Sequence, residues 1–175
     1  MSKQAIIKEM RVLPTIDANT EINRRVNFIK QQLETSGCKS LVLGISGGVD
    51  SFSCGRLAQL AVEQLRQQNP DSGYQFYAVR LPYGTQQDEQ DAQISLDAIA
   101  PDKILTVNVQ QATDAVNQQV CHTLEQVEGA INPEAIDFAK GNVKARVRMT
   151  SQYQVAGLVN GLVLGTDHSA ENITG

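Results

Sequence analysis

Residues 41–51 have the sequence LVLGISGGVDS, and this stretch decides the fold. An apolar run ends at Gly44, and two more glycines, Gly47 and Gly48, stand among small polar and acidic residues. A short apolar run bounded by glycine is typical of a buried strand, and apolar residues at helical spacing follow the glycines. The stretch therefore predicts a strand, a glycine loop and a helix in direct succession.

The same alternation continues along the chain. The predicted strands are 39–45, 74–81, 103–109 and 161–165. The predicted helices are 17–36, from the glycine loop to about 69, 88–100, 113–127 and 133–159, the last possibly broken at Gly141. Strands alternating with helices predict an α/β fold, a doubly wound, Rossmann-like parallel sheet with helices on both faces. Residues 1–175 form one predicted domain.

Composition limits the classes of partner. A formal charge of -4 disfavours general binding to a nucleic-acid backbone. No apolar run approaches the length of a membrane span, and no signal-peptide pattern is present at the start. Cys38, Cys54 and Cys121 are scattered, which favours a reducing compartment and buried thiols. We therefore expect a cytoplasmic protein that binds neither nucleic acid nor membrane.

The glycine loop has the residues of a phosphate site. Gly47 and Gly48 let the backbone approach a ligand, and successive N–H groups at a helix start attract an anion. Ser46 and Ser51 can donate hydroxyl groups, and Asp50 can bind Mg²⁺ that bridges to phosphates. The Walker A lysine and the Rossmann G-x-G-x-x-G spacing are both absent. The alternative is a glycine turn capped by Asp50 or Ser51.

Other polar residues follow the remaining strands. In parallel sheets, ligands bind beyond the carboxyl ends of the strands. These ends are predicted at 46–48, 80–83 and 166–168. Arg80 could hydrogen-bond to or stack on adenine, or lie on the surface. We expect one site along this edge.

Ser46–Ser51 resembles the pyrophosphate loop of the ATP pyrophosphatases, enzymes that cleave ATP between the α and β phosphates. Three further stretches, 80–91, 140–149 and 164–175, are similar to NAD synthetase in the same order. The resemblance covers essentially the whole chain, as the N-terminal portion of an ammonia-dependent NAD synthetase. It implies the adenine nucleotide alpha-hydrolase-like fold and a domain truncated at its C-terminus, because relatives continue beyond Gly175.

The resemblance also implies an activity. NAD synthetases are ligases that form a C–N bond: they amidate nicotinic acid adenine dinucleotide (deamido-NAD) through an acyl-adenylate. Their substrates are ATP, the dinucleotide and ammonia, they need Mg²⁺, and they release AMP and pyrophosphate. They are homodimers, and we expect the interface on the helices between Thr113 and Val159. Two other interpretations stay open: a different ATP pyrophosphatase (tRNA-modifying or GMP synthetase-like), or a non-catalytic nucleotide-binding module.

The resemblance implies roles for individual residues. Those implied to bind ATP are Gly44, Ile45, Ser46, Gly47, Gly48, Val49, Asp50, Ser51, Arg80 and Thr166. Arg146 is implied to contact the dinucleotide, and Asp50 and Glu171 to bind Mg²⁺. Tyr153 shares a helix face with Arg146, so it either lies against a flat substrate ring or belongs to the core.

Other polar residues are interpreted as structural. Acidic residues 88, 89 and 91 fit the first turn of a helix better than a metal cluster. Lys140, Lys144 and Arg148 form a cationic stripe that we expect to be solvated. His168 is assigned a structural role, because the implied chemistry needs no strong protein base.

Overall fold

A computed structural model describes residues 2–84 and 89–167, with only the backbone of Glu89. The elements follow in the order α1 (Lys3–Glu9), α2 (Ala18–Ser36), β1 (Ser40–Gly44), α3 (Val49–Gln68), β2 (Gln75–Arg80), α4 (Glu89–Ile99), β3 (Lys103–Thr106), α5 (Gln110–Glu128), α6 (Pro133–Leu158) and β4 (Gly161–Val163). A short 3₁₀ turn, Pro70–Ser72, precedes β2. The four predicted strands are confirmed, each somewhat shorter than its apolar run.

The sheet is parallel throughout, with strand order β3-β2-β1-β4. The chain moves outward from β1 through β2 to β3, and then returns to the other side of β1. This reversal makes the β1–β4 crevice a switch point, where open α/β sheets bind ligands. Pairing between these two strands ends at Val42 and Val163, so Gly44 extends beyond it.

Two hydrophobic layers cover the sheet. On one face, α2, α3 and α4 pack against β1 and β2, and Leu33, Leu65, Phe76 and Ile99 are almost fully buried there. The other face has a smaller core that includes Val42, Val79, Val109 and Ala156, covered mainly by α6. Helices on both faces of a parallel sheet confirm the predicted doubly wound α/β fold.

The helix boundaries include two corrections. Helix α1 was not among the predicted helices. Helix α6 continues through Gly141, where a break was considered possible. A glycine inside a helix costs about 1 kcal/mol, and packing of α6 against α5, β1 and β4 offsets that cost. In the described part of the chain, no helix is both long and apolar enough to cross a membrane.

The cysteines provide a third correction. Cys38, Cys54 and Cys121 are free thiols, but each is partly exposed, so the prediction of buried thiols was wrong. Cys38 and Cys54 pack against the edge of the core, and the Cys54 thiol lies 3.8 Å from Gly165 O near the carboxyl edge. Its partial burial raises the pKa of the Cys54 thiol.

Candidate functional site

The glycine loop between β1 and α3 has a backbone that requires glycine. Gly47 has φ +93°, and a Cβ on it would lie 3.1 Å from the backbone nitrogen of Ala92 in α4. That separation is tighter than most real Cβ contacts. The close approach of α4 and the positive φ therefore both disfavour a side chain at Gly47.

Serine hydroxyls hold the loop together. Ser46 Oγ and Ser51 Oγ are 3.1 Å apart, and Ser51 Oγ donates to Gly48 O at 3.0 Å. The backbone N–H of Gly48 donates to Ser46 Oγ at 3.2 Å. Helix α3 begins at Val49, with Gly48 as its N-cap, so Asp50 lies in the first turn rather than at a cap. First-turn N–H groups have no acceptor within the helix, so this end can receive an anion.

A cavity of about 310 Å³ lies at the carboxyl ends of β1 and β2. It is lined by Gly44, Ile45, Ser46, Val79, Leu81, Arg148 and Gln152. The first three belong to the predicted ATP-binding set, whereas Arg148 and Gln152 come from α6. Helix α6 therefore forms a wall of the cavity that the glycine loop also lines.

Two hydrogen bonds connect α6 to the strand ends. Gln152 Oε1 accepts from the N–H of Gly44 at 2.7 Å, beyond the point where β4 pairs with β1. Arg148 donates from Nε to Leu81 O at 3.1 Å. The prediction that Arg148 belongs to a solvated stripe was therefore wrong. The inward face of α6 also carries Val155 and Ala156, and their packing draws Arg148 toward the sheet.

Lys140 and Lys144, the other members of the predicted cationic stripe, also contact neighbouring side chains. Lys140 Nζ lies 2.7 Å from Asp114 Oδ1, and the Tyr83 hydroxyl donates to the same oxygen at 2.6 Å. Lys144 Nζ lies 4.7 Å from the centre of the Tyr83 ring. The hydrogen bonds from Lys140 and Tyr83 lower the pKa of Asp114. These contacts connect α5 and α6 to the segment that follows β2.

Arg80, at the end of β2, is buried, with 3% of its surface exposed. The alternative of a surface arginine is therefore wrong, while its contact with ATP stays a prediction. A buried guanidinium next to the loop-bearing strand adds positive charge to the carboxyl edge of the sheet.

A second depression, of about 700 Å³, brings together Asp50 of α3 and Thr166, which follows β4. Gln32 of α2 and Asp167 also line it. The proximity of Asp50 and Thr166 agrees with one site along the carboxyl edge. His168 and Glu171, with the predicted acidic positions 88 and 89, lie outside the residues or side chains described. Asp91 occupies the first turns of α4, as its structural interpretation requires.

The two predicted dinucleotide contacts lie elsewhere. Arg146 is exposed on α6, where it donates to Asn142 Oδ1 at 3.1 Å. Tyr153 is 61% exposed and Met149 is 50% exposed, so Tyr153 does not belong to the core of this chain. Neither Arg146 nor Tyr153 lines the two depressions above. Five residues of the predicted ATP set line these two depressions: Gly44, Ile45 and Ser46 the first, and Asp50 and Thr166 the second. Arg146 and Tyr153 instead lie on an outer face of α6.

Comparison with known proteins identifies the family. The family model described as NAD synthase matches residues 21–175. The chain belongs to the NAD synthase family. It is 59% identical over 175 residues to proteins named NH(3)-dependent NAD(+) synthetase from Vibrio campbellii and from Vibrio vulnificus. Each match covers 99% of this chain and 63% of the relative, so the chain spans less than two thirds of the length of these relatives.

A solved NAD synthase structure supports the same assignment. The crystal structure of NAD+ synthetase from Burkholderia pseudomallei has a TM-score of 0.85 and 47% sequence identity to this chain. The match covers 97% of this chain and 70% of that structure. The predicted resemblance to NAD synthetase is therefore confirmed at the level of family and fold.

Arg148 and Gln152 are polar residues that line the first cavity and that were not predicted from the sequence. Their spacing of four places them on one helix face, and the same face carries Ala156 four residues further on. That apolar position was a signal that the face points to the core. The charge pattern alone places Arg148 in one stripe with Lys140 and Lys144, which is why its contact with the sheet was not predicted.

Proposed function

We propose that the protein catalyses the ATP-dependent amidation of nicotinic acid adenine dinucleotide by ammonia, which gives NAD, AMP and pyrophosphate. The observation that carries this proposal is the glycine loop at the carboxyl edge, because its Gly47 conformation and its serine hydroxyls at the start of α3 suit a bound phosphate. The names of the relatives, NH(3)-dependent NAD(+) synthetase, support ammonia as the nitrogen donor and NAD as the product.

The proposed reaction has two steps. A carboxylate oxygen of the dinucleotide attacks the α-phosphorus of ATP, the bond to the bridging oxygen breaks, and pyrophosphate leaves. The nitrogen of ammonia then attacks the acyl carbon, AMP leaves with the electrons of the C–O bond, and the nitrogen loses a proton. The loop supplies position and charge: first-turn N–H groups of α3 and the hydroxyl of Ser46 hold the phosphate oxygens.

The donors near the loop suit Mg²⁺. Asp50, Thr166 and Asp167 line one depression and offer only hard oxygen ligands, the type that Mg²⁺ takes in combination with phosphates. We propose Asp50 and Glu171 as the protein ligands, as the family resemblance implies. Bound there, the ion would neutralise charge on the pyrophosphate leaving group. Among the described residues, no group of three or more His, Cys, Asp or Glu forms a metal site by itself, so substrate oxygens would complete the coordination.

We also propose a homodimer whose interface lies on α5 and α6. Val116, Val120, Leu124 and Val127 recur at helical spacing on α5 and are 43% to 76% exposed. On α6, Phe138 is 77% exposed. Contiguous exposed apolar residues of this kind mark interaction surfaces. A second copy is the occupant that we propose, because the outer face of α6 also bears Arg146 and Tyr153, the expected dinucleotide contacts.

The assay for the proposed activity is ATP–pyrophosphate exchange with Mg²⁺, with and without the dinucleotide, on the complete gene product. We expect exchange only when the dinucleotide is present, and NAD formation once ammonium is added. Exchange driven by a tRNA or by a nucleoside monophosphate instead would support another ATP pyrophosphatase. ATP binding with no exchange for any acceptor would support the non-catalytic module. The cytoplasmic location stays a prediction.

A further inference from the structure

The phosphate loop has no lysine, which raises the question of which protein cation meets the phosphates. Arg148 lines the same 310 Å³ cavity as Ser46, although Arg148 comes 102 residues after Ser46 in the sequence. We propose that Arg148 binds a phosphate group of ATP in this cavity. The inference rests on the proposed function and adds a residue to its nucleotide site.

The contacts of Arg148 favour this role. Its Nε donates to Leu81 O, and this hydrogen bond holds the guanidinium at the carboxyl end of β2. Among the described residues, the guanidinium forms no ion pair, although its side chain is partly buried. A partly buried cation without a carboxylate loses hydration, and an anionic ligand compensates for that loss. The two Nη groups of arginine can bind two phosphate oxygens at once.

Gln152 holds this wall of the cavity in place. Its Oε1 accepts from Gly44 N–H at 2.7 Å, and its Nε2 donates to Arg148 O at 3.4 Å. A Cβ on Gly44 would lie 3.0 Å from the same Oε1, so a side chain at this position would displace the Gln152 amide from its hydrogen bond. Helix α6 is thereby fixed to the start of the loop, and Arg148 has a set position relative to Ser46.

The neighbouring cations have other partners. Lys140 forms an ion pair with Asp114, and Lys144 lies over the ring of Tyr83. Neither of them lines the cavity. Lys144→Gln therefore removes the same charge from the same helix without touching the proposed contact, and serves as the matched control for Arg148→Gln.

The test is calorimetric binding of ATP with Mg²⁺, and of adenosine, to the complete gene product and its variants. We expect Arg148→Gln to weaken ATP binding about ten- to a hundredfold, the effect of a lost charge-assisted hydrogen bond. Adenosine binding should not change, Lys144→Gln should bind ATP like the wild type, and Arg148→Lys should recover part of the loss. The KM for the dinucleotide should also stay unchanged in Arg148→Gln.

Three results would overturn the assignment. Wild-type affinity for ATP in Arg148→Gln would show that no phosphate contact exists. Equal losses for ATP and adenosine would show a structural role through Leu81, and a rise only in the dinucleotide KM would assign Arg148 to the other substrate. If the wild type binds ATP but shows no dinucleotide-dependent exchange, only the proposed function fails. A wild type that binds no ATP contradicts both proposals.

Discussion

Gly47→Ala tests whether the loop geometry depends on this glycine. Holding alanine at a positive φ costs roughly 1 to 3 kcal/mol, and the new Cβ would also press on the backbone of Ala92 at 3.1 Å. Alanine also reduces the conformational entropy of the unfolded chain, and this stabilises the folded variant by about 0.4 to 1 kcal/mol. The net destabilisation is therefore about 2 kcal/mol, which lowers Tm by about 4 to 8 °C in a domain of this size.

Gly48→Ala is the matched control, because it adds the same methyl group one residue later. Gly48 has φ -77°, and the nearest atom to its Cβ would be Ser46 Oγ at 3.4 Å, an ordinary contact. Alanine is a poorer N-cap than glycine, which lowers stability, but it also reduces the entropy of the unfolded chain, which raises stability. Because these two effects on the free energy of unfolding nearly cancel, we expect Tm to change by about 2 °C or less. The assay is thermal unfolding followed by circular dichroism. Equal Tm values for the two variants would refute the argument from φ and the Ala92 contact.

Three more predictions concern stability and assembly. Burial raises the pKa of Asp102, but hydrogen bonds from Arg66 at 2.7 and 3.0 Å and from other donors outweigh it and hold the pKa below its ordinary value. Asp102→Asn should therefore lower the free energy of unfolding at pH 7 by about 2 to 3 kcal/mol, measured by denaturant unfolding. The difference in this free energy between variant and wild type should shrink as the pH falls below about 4, where the carboxylate becomes protonated. A difference that does not depend on pH would contradict this prediction. Gln152→Leu removes the acceptor of Gly44 N–H and should lower the free energy of unfolding by about 1 to 3 kcal/mol. Gln152→Glu keeps an acceptor and should lower it by less. Equal losses of stability in the two variants would show that this hydrogen bond does not contribute. Val120→Glu should convert the proposed dimer to monomer in sedimentation at unchanged helix content, and a dimer that persists would place the interface elsewhere.

The fold class and the position of the glycine loop could be predicted from the sequence alone. Four apolar runs alternating with helical segments leave few alternatives to a parallel sheet, and S-G-G-V-D-S follows the first run directly. The start of the predicted helix 17–36 also agrees with the structure, where Asp17 is the N-cap of α2 and accepts from the N–H of Thr20 at 2.7 Å. These features depend on residues close in sequence, so local pattern and backbone chemistry suffice to predict them.

The contacts of the α6 side chains, in contrast, depend on the tertiary structure. The charge pattern groups Arg148 with Lys140 and Lys144. In the folded chain, Arg148 instead donates to Leu81 O, whereas Lys140 pairs with Asp114 and Lys144 lies over the Tyr83 ring. The contact between Gln152 and Gly44 joins residues 108 positions apart. Such pairings depend on how α6 crosses the sheet, a long-range packing outcome that no local pattern specifies. The sequence therefore predicted a phosphate loop without a lysine, and the fold brought an arginine to the cavity beside it.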